Sequence, residues 1–183
     1  MRNFNLPNLL TIIRILALPF CAYALFKNGG DDSTWRIIAW TLFFIVGMTD
    51  TLDGKLARSR NQVTPLGTFL DPIADKAVIG TALIGLSILG DMPWWITIFI
   101  LSRELLVTLL RLVVIKRGVI PASRGGKAKT LTQGFAIGFY IFPMPHWFDP
   151  FNALLMGVAV ILTLVTGFQY LKEIARLRAS SIA

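Results

Sequence analysis

Long apolar runs, separated by short polar or glycine- and proline-containing breaks, make up nearly the whole chain. Six runs can be drawn, over residues 8–26, 35–57, 72–89, 93–115, 129–142 and 151–171. The breaks fall at 28–30, 64–65, 90–93, 118–126 and 143–150, where Asn-Gly, Thr-Pro and clustered Gly and Pro end regular structure. A helix that crosses a bilayer needs about 20 mostly apolar residues. The pattern therefore predicts an all-α integral membrane protein with six transmembrane helices, residues 1–183 forming a single membrane domain. The run 129–142 is short, which predicts a helix that borrows from the basic loop before it or tilts little. No internal repeat is evident.

Composition sharpens this picture. Hydrophobic residues make up 55% of the 183 positions, charged residues 15%, and the mean hydropathy is +0.66. Soluble domains sit nearer 45–50% apolar. The net charge of +8 raises the question of nucleic acid, but basic loops between apolar runs are explained by topology and anionic headgroups, and no nucleic-acid partner is expected. Arg2, Arg58, Arg60, the 116–129 loop with its five Lys and Arg residues, and Lys172, Arg176 and Arg178 all fall on one side if six helices alternate. The positive-inside rule then places both termini in the cytoplasm. Trp35, Trp94, Trp95 and Trp147 fall near the opposite boundary, as an aromatic belt would. A lone cysteine, Cys21, excludes an intramolecular disulfide and reads as an inert buried thiol. Arg14 interrupts the first run, which argues against a cleavable signal peptide.

Four carboxylates stand where lipid-spanning sequence should be apolar: Asp50, Asp53, Asp71 and Asp75. Each ionised group deep in a bilayer costs on the order of 2.5–3.5 kcal/mol on insertion scales. Asp50 and Asp53 share one helical face, and so do Asp71 and Asp75. Asp71 followed by Pro72 suits a helix N-cap and first position. Salt bridges to Arg58, Lys76 and the basic loops are one way to neutralise the four acids. Two divalent cations are the other, and an all-oxygen donor set without His or Cys favours Mg²⁺ or Mn²⁺. A magnesium site with open positions takes substrate phosphates as further ligands, which points to two-metal phosphate chemistry. Gly54, Ala57 and Gly67 supply room for close approach, or for helix packing.

The run Asp50-Thr51-Leu52-Asp53-Gly54-Lys55-Leu56-Ala57-Arg58, followed by Gly67, Asp71 and Asp75, resembles the signature of the CDP-alcohol phosphotransferase family at all eight fixed positions. The resemblance implies six transmembrane helices, a homodimer and two metal ions. It implies that Asp50 and Asp71 bridge the ions, with Asp53 on one and Asp75 on the other. Gly54, Ala57, Arg58 and Gly67 correspond to positions around the CDP moiety of CDP-diacylglycerol, and Asn8, Thr11 and Arg14 resemble, more loosely, a region lining the same pocket. Within the family, the opening 5–14, Ser102-Arg103-Glu104-Leu105 with Arg111, and Gly126-Lys127-Ala128-Lys129-Thr130 are similar to phosphatidylglycerophosphate synthases. Those enzymes take sn-glycerol 3-phosphate as acceptor and release CMP.

An acceptor that carries a phosphate needs cations. Arg103 and Arg111 lie in the fourth run, where charge is expensive and usually functional. Lys127 and Lys129 sit at the entry to the fifth. These four are the expected acceptor-phosphate ligands, with snorkelling, ion pairing and the positive-inside rule as plainer explanations. Glu104 and Arg111, seven apart, share a face and are expected to neutralise one another in part. Asp75 is the expected general base; no Ser, Cys or His in the signature offers a covalent alternative. Inositol phosphate stays open as acceptor. A divalent-cation transporter is the alternative from another class, although the acids cluster at one end of their helices. Gly134-x-x-x-Gly138 offers close helix packing within or between subunits. Small size and the lack of an organelle signal suggest a bacterial plasma membrane, with the active site facing the cytoplasm.

Overall fold

The computed structural model describes residues 6–59, 65–114 and 124–180; side chains at 50–59, 111–114, 127 and 176–180 and at the helix starts 6–7, 65–66, 68–69 and 124 lie outside the description. All regular structure among the described residues is helical: α1 (Leu6–Phe26), α2 (Ser33–Ser59), α3 (Pro65–Leu89), α4 (Trp94–Val114), α5 (Arg124–Ile141) and α6 (Asp149–Ser180). Each apolar run became one helix. Three stretches, Asn8–Gly30, Leu70–Leu89 and His146–Ala175, are long and apolar enough to cross a membrane.

Two boundaries differ from the sequence pattern for identifiable reasons. α5 starts at Arg124, inside the basic loop, and so gains the length that its apolar run lacks. Asp71 is not an N-cap: α3 starts at Pro65, and Pro72 lies within it. Pro65 fills the first-turn position, where a missing N–H costs nothing. Pro72 then sacrifices one backbone hydrogen bond in a helix otherwise held by its neighbours.

The chain packs as two compact units, Met1–Pro93 with Gly138–Pro143, and Trp94–Ile137 with Met144–Ala183. In the first, α1 packs on both α2 and α3. α1 and α3 run parallel in a constant register. Thr11 meets Asp71, Gly85 lies against Leu25, and Gly30 lies against Leu89, an offset of about sixty residues throughout. A Cβ on Gly85 would stand 2.6 Å from Leu25 Cδ2, so the missing side chain sets how closely the helices approach. The α1–α2 connection is a short 3-10 turn, Lys27–Gly30, with Asn28 and Gly29 at φ 54° and 73°. Asp32 then caps α2, its Oδ1 accepting from the Thr34 and Trp35 amides at 2.8 and 3.2 Å, while Asn28 Nδ2 donates to Oδ2 at 3.0 Å. Arg36 ties this end together: Nε donates to the Gly30 carbonyl at 2.6 Å, Nη1 to the Tyr140 carbonyl at 3.3 Å, and Nη2 to Asp91. Gly138, the second glycine of the Gly-x-x-x-Gly pair, faces the Trp40 indole.

In the second unit α4 packs on α6, and Arg103 Nη2 donates to Thr166 Oγ1 across that contact at 2.8 Å. Polarity is inverted relative to a water-soluble fold. Leu16, Phe20, Trp95, Ile98, Phe135, Leu154 and Phe168 are exposed, whereas Asn8, Thr11, Arg14, Lys129, Gln133, Asn152 and Thr163 are buried. Apolar exposure on this scale is matched to lipid, and the chain is a membrane protein.

Candidate active site

The first half of α1 carries polar residues every three positions, Asn8, Thr11 and Arg14, in an otherwise apolar helix. That spacing puts them on one face, and each is almost wholly buried. On α3, Asp71 and Asp75 are four apart and also share a face. The parallel register brings the two faces together. Thr11 Oγ1 donates to Asp71 Oδ1 at 2.8 Å, and Arg14 Nη1 donates to Asp75 Oδ1 at 3.1 Å. The Arg14 side chain is 1% exposed and that of Asp75 47%. The pair is therefore polarised: a fully enclosed cation holds one oxygen of a carboxylate that still opens outward.

The donor chemistry suits a hard divalent ion. Among the described residues two carboxylates face one arginine, which leaves negative charge for a cation. An ionised carboxylate offers about four acceptor directions, and oxygen donors of this kind suit a hard cation. Lys76, one of the cations that the salt-bridge alternative called on, donates to the Pro72 carbonyl in its own helix at 3.2 Å. Asp50, Asp53, Gly54, Ala57 and Arg58 all belong to α2, which packs on both α1 and α3; their side chains lie outside the described residues. Among the described residues, no three His, Cys, Asp or Glu side chains gather in one place. Gly67 is buried near the start of α3.

A second polar cluster lies in the other unit. Glu104 of α4 accepts from Arg103 Nη1 at 3.1 Å and forms a close ion pair with Lys129 of α5. Arg103 also reaches Thr166 on α6. Two expected phosphate ligands, Arg103 and Lys129, are thus brought to one carboxylate. The side chains of the other two, Arg111 and Lys127, lie outside the described residues. Glu104 was expected to offset Arg111, whose side chain lies outside the described residues; among the described residues it is engaged by Arg103 and Lys129. Its role as a hub was not legible from spacing, because Lys129 sits 25 positions away on another helix. The available signal was a lone acid beside an arginine in an apolar helix, since such a charge must find partners. Gln133 was also missed. It lies between Thr132 and Gly134 on α5, and it is 1% exposed.

The profile of the CDP-alcohol phosphatidyltransferase family matches residues 4–165. The chain is 49% identical over 175 residues to a probable phosphatidylglycerophosphate synthase of Mycobacterium tuberculosis, covering 96% of this chain and 84% of that protein. It is 39% identical over 183 residues to the CDP-diacylglycerol–glycerol-3-phosphate 3-phosphatidyltransferase of Bacillus subtilis, covering 93% and 95%. To the protein of the same name in Haemophilus influenzae it is 36% identical over 176 residues, covering 93% of each. The matched stretch takes in every charged residue of both clusters, and the chain accordingly belongs to the CDP-alcohol phosphatidyltransferase family and is a phosphatidyltransferase.

Proposed function

We propose that the protein transfers the phosphatidyl group of CDP-diacylglycerol to sn-glycerol 3-phosphate, giving phosphatidylglycerophosphate and CMP. The observation that carries this reading is the pair Asp71 and Asp75, held on α3 by Thr11 and Arg14, in a chain whose relatives bear that activity in their names. Six membrane-spanning helices in one domain, both termini in the cytoplasm and a cytoplasm-facing site in a bacterial plasma membrane accord with the six helices and the distribution of Lys and Arg. A homodimer belongs to the same reading.

Asp50, Asp53, Asp71 and Asp75 would hold two divalent ions, Mg²⁺ or Mn²⁺, which when bound offset the charge of the diphosphate and of departing CMP. Asn8, Thr11, Arg14, Gly54, Ala57, Arg58 and Gly67 line the CDP-diacylglycerol site. Arg103, Arg111, Lys127 and Lys129 take the phosphate of the acceptor. The acceptor's primary hydroxyl oxygen attacks the β-phosphorus, the bond from that phosphorus to the bridging oxygen breaks, and CMP leaves with the oxygen. The hydroxyl proton passes to Asp75, whose open exposure suits it to meet a substrate. Arg14 fixes the direction of that carboxylate from behind. The transporter alternative is set aside by membership of an enzyme family.

The test is CMP release by purified protein supplied with CDP-diacylglycerol, Mg²⁺ or Mn²⁺, and one acceptor at a time. Release that requires sn-glycerol 3-phosphate is the expected result. Release only with inositol phosphate keeps the chemistry and overturns the acceptor.

A further inference from the structure

Gln133 has 1% of its surface exposed, and neither Oε1 nor Nε2 has a hydrogen-bond partner among the described residues. A buried amide left in this state is costly, and native interiors rarely keep one without a reason. Its surroundings argue against an accident of packing. Leu131 and Phe135, on either side in sequence, are exposed, while Lys129, Ala136 and Ile137 are buried. Gln133 therefore sits on the inward face of α5, one turn beyond Lys129 and on the same side. Helical side chains lean toward the N-terminus, which carries the Gln133 amide back toward the Lys129–Glu104–Arg103 cluster. In that cluster Arg103 Nε is also enclosed without a partner among the described residues.

Among the described residues the cluster has two cations and one carboxylate, a balance suited to a phosphate. An amide one turn away, with a donor and an acceptor both uncommitted, is complementary to an alcohol, which also donates and accepts. We propose that Gln133 recognises the secondary hydroxyl of the acceptor, making it a specificity-determining residue for a polyol phosphate. This rests on the reading that Arg103 and Lys129 hold the acceptor's phosphate. The attacking primary hydroxyl and the phosphate are common to many small alcohol phosphates; the hydroxyl between them is what Gln133 distinguishes. A buried polar group that hydrogen-bonds a substrate hydroxyl strongly rejects an analogue lacking it, because the analogue leaves the group unpaired again.

The full-length protein in detergent is assayed for CMP release with sn-glycerol 3-phosphate and with 3-hydroxypropyl phosphate, which keeps the phosphate and the primary hydroxyl but lacks the secondary one. The wild-type protein is expected to favour glycerol 3-phosphate by about 100-fold in kcat/KM. Gln133→Met, close in shape and apolar, is expected to bring that ratio to within about threefold of unity, mainly by losing rate on glycerol 3-phosphate. Lys129→Met is expected to weaken both acceptors alike. Equal use of the two acceptors by the wild type overturns the proposal without any variant. So does Gln133→Met that keeps the wild-type ratio, or that loses rate on both acceptors equally. Absence of CMP release with either acceptor overturns the reading of the reaction itself, a distinct outcome.

Discussion

The two polar clusters are built from the same parts with opposite sums. Among the described residues of the Met1–Pro93 unit two carboxylates, Asp71 and Asp75, meet one buried arginine and one hydroxyl. Among those of the other unit two cations, Arg103 and Lys129, meet one carboxylate. The first has negative charge to spare and suits a cation that brings a diphosphate with it. The second has positive charge to spare and suits a bare phosphate. A membrane interior enforces such accounting strictly, because each uncompensated charge there costs several kcal/mol. The sign left over at each cluster matches the role proposed for it.

The largest effect that bears on this contrast is expected on the acidic side. Asp75→Asn keeps the size of the side chain and an oxygen for Arg14, but removes the charge and the capacity to take a proton. CMP release should fall by about a thousandfold, and the melting temperature should fall as well, because the buried Arg14 loses this charge partner. A variant with more than a tenth of wild-type turnover would remove Asp75 from the chemistry.

An intermediate effect is expected on the basic side. Glu104→Gln leaves Arg103 and Lys129 enclosed without their carboxylate, and should lower stability by about 3 kcal/mol. Glycerol 3-phosphate should then raise the melting temperature of the variant more than that of the wild type, because a ligand stabilises the state it binds. Equal shifts in the two proteins would mean that the cluster does not meet the phosphate.

The smallest effect belongs to Asp32, far along the chain from both clusters. Its pKa is lowered by the Asn28 side-chain hydrogen bond first, and by the Trp35 and Thr34 amides that it caps. A carboxyl depressed in the folded state contributes stability above its unfolded pKa, near 3.9, and loses it as pH falls through the folded value. Asp32→Ala should therefore melt slightly below the wild type at about pH 7, and the gap should narrow as the pH falls below the unfolded pKa. A gap that is unchanged across this range would rule out the charge as the source of the cap's strength.

The helices were legible because their signal is local. The α1 and α3 C-terminal ends at Phe26 and Leu89 coincide with the ends of their apolar runs, and α5 reached back into the basic loop as its short run required. Asp71-Pro72 misled because a proline inside a packed helix reads locally like a helix start; Pro65, a few residues earlier, was the true one. Pairings across the fold were not legible. The Arg14–Asp75 and Thr11–Asp71 pairs span about sixty positions, and spacing within one helix does not say which helix lies opposite. The three-residue rhythm of Asn8, Thr11 and Arg14 did state that this face of α1 needed a polar neighbour. The eight signature positions named the chemistry, while the Glu104 hub and Gln133 emerged only once α4 and α5 had been folded.

Arg36 gives the Met1–Pro93 unit a mechanical character. One guanidinium fastens the α1–α2 turn, Asp91 just beyond the end of α3, and the Tyr140 carbonyl in the last turn of α5. Thr11, Arg14, Asp71 and Asp75 all lie in the opposite halves of α1 and α3. The other ends of these two helices carry the chemistry, and there they are joined by the polar pairs Thr11–Asp71 and Arg14–Asp75. Between the two ends lies the smooth contact of Gly85 on Leu25, with no side chain on one of its faces.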